Sequence, residues 1–162
     1  MGARSNGTVT SRLASRIPAG ASVLVDTSVV LAYLTGTEPG SPPATELFDA
    51  FVATGRNSAV LSMITVGEIL VRPFRRGPSA VAIAEGFLQH FGDLRLLPVD
   101  YPVAREGARI RALTDLAMPD ALIVATARVA GADLVVTNDR AWPGPMSIAY
   151  PGLPVVVLAD TA

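Results

Sequence analysis

Four acids in this sequence stand where an acid is conspicuous. Asp26 ends the apolar run Val23-Leu24-Val25. Glu68 lies among Ile64, Val66, Ile69, Leu70 and Val71. Asp120 follows Pro119 and opens the apolar stretch Ala121-Leu122-Ile123-Val124-Ala125, and Asp139 comes just after Leu134-Val135-Val136-Thr137. Each has an ordinary explanation. Asp26 suits the N-cap of a following helix, Glu68 an exposed i, i+4 pair with Arg72, Asp120 a first-turn acid facing the helix dipole, and Asp139 an Asn-Asp turn. Brought together, the four acquire a different meaning. Carboxylates at close quarters repel one another unless they are protonated or bridged by cations, and an oxygen-only donor set suits Mg2+ or Mn2+. Such ions activate water and neutralise charge on a phosphodiester, so the chemistry this inventory supports best is metal-dependent phosphoryl hydrolysis.

The remaining inventory excludes most rivals. All 13 basic residues are arginine, cysteine is absent, and His90 is the only histidine. Without lysine there is no Walker phosphate loop, pyridoxal Schiff base or Ser-Lys hydrolase. Without cysteine there is no thiol nucleophile, Cys-zinc site or disulfide, which fits a reducing cytoplasm. A formal net charge of -1 gives no polycationic footprint, so any nucleic-acid contact has to be local. Arg72, Arg75 and Arg76, or the helix carrying Arg105, Arg109 and Arg111, would supply the phosphate contacts. His90 is read as an ordinary residue near a helix end, and Asp115 and Asp133 as a helix end and a turn. Mean hydropathy is +0.43. The longest uncharged run, Ala141 to Ala159, holds Pro143, Pro145, Pro151 and Pro154 and cannot form a spanning helix. No apolar signal-peptide core precedes Ile17, so the expectation is no membrane segment.

The acids need a scaffold that brings their distant positions to one place. Short apolar runs at SVLVD, SAVLS, LRLLPV, DLVVT and PVVVL read as strands, continuous rather than alternating, as expected of strands buried on both faces of a parallel sheet. Between them VVLAYLTG, PATELFDAFVATG, SMITVGEILVR, PSAVAIAEGFLQHFG, YPVAREGARIRALTDL and MPDALIVATARVAG read as helices. Ser62 is the expected N-cap and Pro73 the expected stop of the third; Gly92 and Gly131 are expected to close the fourth and last. PGPMSIAYPG is read as a long connection to the final strand. Alternating elements of this kind predict a three-layer α/β/α fold around a central, mainly parallel sheet of four to five strands. Ligand crevices in such sheets form at the carboxyl ends of strands, where Asp26 and Asp139 fall. One domain is expected over residues 21–162, with residues 1–20 a flexible tail.

At these residues the chain is also recognisable. VLVDTSVVLAYL, ITVGEILVRP and MPDALIVATARVAGADLVVTNDRAW, in this order, resemble the PIN-domain ribonucleases, and within them the VapC-type toxins, over about residues 21 to 160. The segment PDALIVATA…LVVTND is the most specific part. The resemblance implies a PIN-like nuclease domain whose Mg2+ or Mn2+ is held by Asp26, Glu68, Asp120 and Asp139. It further implies an endoribonuclease that uses water and leaves a 5′-phosphate, a cytoplasmic location, a homodimer, and a cognate antitoxin reaching the acidic cleft. The family often has Asn two places after the first acid, where this chain has Ser28, a hydroxyl that serves as support instead. Thr137 matches the family's hydroxyl before the last acid, and Trp142 is expected to pack beneath the site loop. Two other readings stand beside this one. They are a PIN-like binding module without turnover and an aspartate-nucleophile phosphohydrolase suggested by VLVDTS, which would normally carry a second Asp where Ser28 stands.

Overall fold

Residues 11–161 are described by the computed structural model. A helix, α1 (Arg12–Arg16), precedes the first of the five apolar runs, β1 (Ser22–Val25). Then come α2 (Thr27–Thr35) and α3 (Ser41–Thr45), the latter continuing into a π-helical segment at Glu46–Val52. β2 (Ser58–Ser62), α4 (Met63–Arg76), α5 (Pro78–His90), β3 (Leu94–Leu97), α6 (Tyr101–Leu113) and α7 (Met118–Ala130) follow. β4 (Leu134–Thr137), α8 (Pro143–Ala149) and β5 (Val155–Val157) complete the fold. The strands form one sheet in the order β3-β2-β1-β4-β5, and every pairing is parallel.

The apolar runs divide their side chains between two cores, as strand alternation requires. Val23, Val25, Ala59, Leu61, Leu134 and Val136 face one side, packing with α1 through α5. Leu24, Val60 and Val135 face the other, packing with α6, α7 and α8. Most of these strand residues have no exposed surface, and full burial of each such aliphatic side chain contributes roughly 1.5–3 kcal/mol. On the first side Tyr33, Phe48, Phe87 and Phe91 form an aromatic cluster with ring centroids 4.6 to 5.8 Å apart, joining α2, the π-helical segment and the end of α5. The three-layer α/β/α expectation holds. Among the described residues no helix is long and apolar enough to cross a membrane.

The order of the sheet positions the site. Helical connections run from β1 to β2 and onward in one direction, while β4 and β5 lie on the other side of β1, so the order reverses between β1 and β4. That reversal opens a crevice at the carboxyl ends of these two central strands. The register sets Val25 beside Val136, and the Asp26 amide extends the ladder by donating to the Val136 carbonyl at 2.9 Å.

Three expectations are corrected. Pro73 does not stop α4, which continues to Arg76; its ring keeps a helical φ, and the Gly77 amide closes the last turn on the Pro73 carbonyl at 3.1 Å. The stretch PGPMSIAYPG is not merely a connection, because Pro143 to Ala149 form α8. Pro143 and Pro145 fall in its first turn, where a missing N–H is not needed, and Met146 and Ala149 are buried beside Trp142. The flexible tail is not observed over residues 11–20, while residues 1–10 lie outside the described ones. There Ser11 caps α1 by accepting from the Ala14 amide at 2.9 Å, and Leu13 and Ile17, four apart on one helical face, enter the core. Leu13→Ala is therefore expected to destabilise the chain by about 2–5 kcal/mol in denaturant unfolding. An unchanged unfolding midpoint would return this segment to the status of a tail.

Candidate active site

Asp26 leaves β1 almost completely buried, at 5% exposure. Its carbonyl accepts from the Val29 and Val30 amides at the start of α2, yet its side chain makes no capping bond. Instead Oδ2 accepts from Ser28 Oγ at 2.6 Å and from Thr137 Oγ1 at 2.8 Å. The carboxylate is thus turned away from capping and held by two hydroxyls from opposite sides of the β1–β4 boundary. Burial pushes the Asp26 carboxyl above the usual carboxylate range, and the bonds from Ser28, Thr137 and the Thr27 and Ser28 amides pull against that rise.

Both hydroxyls are fully committed. Ser28 Oγ also accepts from the Asn138 amide at 3.0 Å, and Thr137 Oγ1 from the Asp139 amide at 3.0 Å. Each hydroxyl has one proton, and the amide contacts leave that proton for Asp26. Asn138 additionally donates from Nδ2 to the Ser28 carbonyl at 3.2 Å, so it grips Ser28 twice. The sequence reading missed Asn138, which looked like half of an Asn-Asp turn. Its place depends on Gly40 as well, since a Cβ there would lie 2.6 Å from Asn138 Oδ1 and 2.8 Å from Nδ2.

Glu68 projects from α4 and is exposed, and Thr27 Oγ1 donates to its Oε2 at 2.5 Å. The same hydroxyl lies 3.0 Å from the buried Thr65 Oγ1. No Glu68–Arg72 ion pair forms among the described residues, so the surface-pair explanation is not what the structure holds. α4 is set in place by Ser62, whose Oγ accepts from the Ile64 amide at 3.3 Å and meets Thr126 Oγ1 of α7 at 3.1 Å. Asp120 is the third residue of α7 and half-buried. Burial raises its carboxyl first, and the negative charges of Asp26, Glu68 and Asp139 raise it further. Asp139 is exposed, and its Oδ1 accepts from the Ala141 amide at 2.8 Å, the turn expected of it.

All four acids line one open cleft of about 530 Å³, floored by the buried Trp142 and edged by Arg72 and Arg75. They share a field without forming a closed cage. Among the described residues no three acidic or imidazole side chains are gathered tightly enough to enclose an ion. Two like charges about 4 Å apart repel by roughly 4 kcal/mol near a protein surface and by only about 1 kcal/mol in water, so side chains of one sign spread toward solvent. The other candidates lie elsewhere. His90 is exposed at the end of α5, and Arg109 is engaged by Glu106 at 2.7 Å and by the Ala149 carbonyl. Asp133 accepts from the Ser22 amide at 2.8 Å.

The contact between Gly40 and Asn138 generates a prediction. Gly40 has φ -80 and ψ -3, which alanine adopts freely, so Gly40→Ala should cost about 1–3 kcal/mol through the clash alone. Adding Asn138→Ala removes the clashing amide. Denaturant unfolding of both single variants and the double variant should therefore show non-additive losses, whereas strict additivity would mean that the two residues do not touch.

Comparison with solved structures finds the same fold in proteins of toxin–antitoxin systems. A toxin–antitoxin complex from Klebsiella pneumoniae matches with TM-score 0.62 at 21% identity, over 84% of this chain and 97% of that one. FitAcB from Neisseria gonorrhoeae matches with TM-score 0.58 at 23% identity, over 82% and 95%. VapC20 from Mycobacterium tuberculosis, a sarcin-ricin loop cleaving toxin, matches with TM-score 0.57 at 20% identity, over 70% and 86%. At these identities the likeness is one of fold. No curated protein sequence matches the chain. The family model of the PIN domain, however, matches residues 23–143, well over half of the chain and including all four acids of the cleft, and the chain belongs to the PIN domain family.

Proposed function

We propose that this PIN domain is a metal-dependent endoribonuclease and the toxin of a toxin–antitoxin pair. The observation that carries the reading is the convergence of Asp26, Glu68, Asp120 and Asp139 on one open cleft, where burial and then the other three acids push the Asp120 carboxyl above its ordinary range. None of the four is in an ion pair among the described residues, so no side chain of the protein neutralises these carboxylates by direct contact. Its donors are carboxylate oxygens with hydroxyls behind them, which fits Mg2+ or Mn2+ and no softer metal. When bound, such an ion would neutralise charge on the phosphodiester and acidify a water molecule.

The chain's own residues do the positioning. Ser28 and Thr137 fix the direction of the Asp26 carboxylate, Thr27 orients Glu68, and the Ala141 amide holds Asp139. Asp120 carries its charge into the cleft from the first turn of α7. In hydrolysis the water oxygen would add to phosphorus, the P–O bond to the 3′ oxygen would break, and the products would be a 3′ hydroxyl and a 5′-phosphate, with no covalent enzyme intermediate. An aspartate-nucleophile mechanism is disfavoured because Oδ2 of Asp26 is occupied by two hydroxyl donors and Ser28 stands where the second acid would be. Neighbours solved as toxin–antitoxin complexes support a cognate antitoxin, and the loop-cleaving neighbour supports RNA as substrate.

Asp26→Asn tests this reading because it keeps shape and removes one charge. RNA cleavage and Mn2+ binding by calorimetry should fall together, by more than the roughly 10–100-fold that loss of an outer-shell partner costs. Stability without divalent cation should move the other way. Asp26 and Asp120 have folded-state pKa values raised above the unfolded ones, so their burial weakens the fold at neutral pH, and stability rises as pH falls through the folded values. The Asn variant should therefore exceed the parent at neutral pH in EDTA, with the gain shrinking on acidification. An Asn variant that cleaves at the parental rate in limiting Mn2+ would remove Asp26 from the metal site.

The reading extends to a homodimer, supported by the exposed apolar side chains Phe74, Ile83, Tyr101 and Ile148. Light scattering should return twice the chain mass at micromolar concentration. A monomer mass throughout would contradict it.

A further inference from the structure

We propose that Arg72 and Arg75 clamp the phosphate backbone of a single RNA strand across the acidic cleft; the assignment rests on the nuclease reading and names the residues that make it workable. A cleft lined by four carboxylates repels a polyanion, and a chain of net charge -1 offers no global attraction to offset this. With no lysine in the chain, the compensating cations have to be arginines beside the cleft.

Helical spacing places them there. Arg72 follows Glu68 by four residues and Arg75 by seven, so both share the face of α4 that carries this acid, and both line the same cleft. Both are exposed, and neither makes a hydrogen bond or ion pair among the described residues. Several arginines elsewhere are spent on the fold. Arg56 holds Asn57 and the Ile17 carbonyl while lying over Phe51, Arg109 holds Glu106 and the Ala149 carbonyl, and Arg140 pairs with Asp160. Arg105 and Arg111 belong to α6 and do not line the cleft. Arg72 and Arg75 thus present free, planar guanidinium forks, the geometry that takes phosphate oxygens two at a time. Separated by three helical positions, they form an adjacent pair along the strand path.

The test uses the full chain in EDTA, with fluorescence anisotropy of two labelled single-stranded RNAs of unrelated sequence from about 50 to 200 mM salt. Arg72→Gln and Arg75→Gln should each weaken binding to both RNAs by roughly tenfold and make the log–log salt slope shallower by about 0.7. Lysine at either position should restore most of the slope, and Arg105→Gln and Arg111→Gln should behave as wild type. Parental affinity and slope in the Arg72→Gln/Arg75→Gln double variant would overturn the clamp. So would loss confined to one RNA, which marks base reading, or loss of binding to an acidic protein partner with RNA binding intact. Wild-type chain that cuts RNA in Mn2+ while the variants bind normally overturns the clamp alone. Wild-type chain that neither binds nor cuts overturns the clamp and the nuclease reading together.

Discussion

A carboxylate removed from water needs hydrogen bonds or a cation to offset its lost hydration, and Asp26 is the place where this fold meets that requirement. Its burial follows from ending β1, the middle strand of the sheet, so solvation cannot be restored without moving the core. Ser28 and Thr137 offset part of the cost, and what they leave is carried as a raised proton affinity. Placing three more acids around the same cleft increases the strain on Asp120. A site of this kind is stabilised by what binds it, and that links folding physics to the chemistry of a phosphodiester.

The parallel sheet makes the arrangement possible at little cost elsewhere. Because β1 and β4 pair in register at Val25 and Val136, the residues just beyond them meet without any special loop. The hydroxyl network then crosses 110 or more positions of sequence in a single step, from Ser28 to Asn138 and from Asp26 to Thr137. α4 and α7 bring Glu68 and Asp120 from the two different faces of the sheet and are joined to each other through Ser62 and Thr126.

Much of this was legible in the sequence for identifiable reasons. Apolar runs such as Leu134 to Thr137 are too continuous for a half-exposed sheet, so parallel strands and two helical layers followed from them. The acids stood out because Asp26 ends such a run and Glu68 interrupts an apolar helix. What sequence alone did not reveal depends on context that only folding supplies. Asn138 acts through cross-strand register and through the bare surface of Gly40. Two prolines and a glycine made α8 look like a loop, although both prolines fall in its first turn, and Leu13 and Ile17 were too few to announce a core helix. The ordinary explanations also separated on contact: Asp139 does make its turn, while the Asp26 side chain does not cap and Glu68 does not pair with Arg72.

The central claim is that these four carboxylates act jointly on a hard divalent cation. Anomalous diffraction from crystals grown with Mn2+ tests it most directly. The account predicts a peak inside the cleft between Asp26, Asp120 and Asp139, with carboxylate oxygens at roughly 2.0–2.6 Å and Glu68 drawn toward it directly or through water. A well-ordered Mn2+ found only elsewhere on the protein, with the cleft empty and the four side chains unmoved, would contradict it.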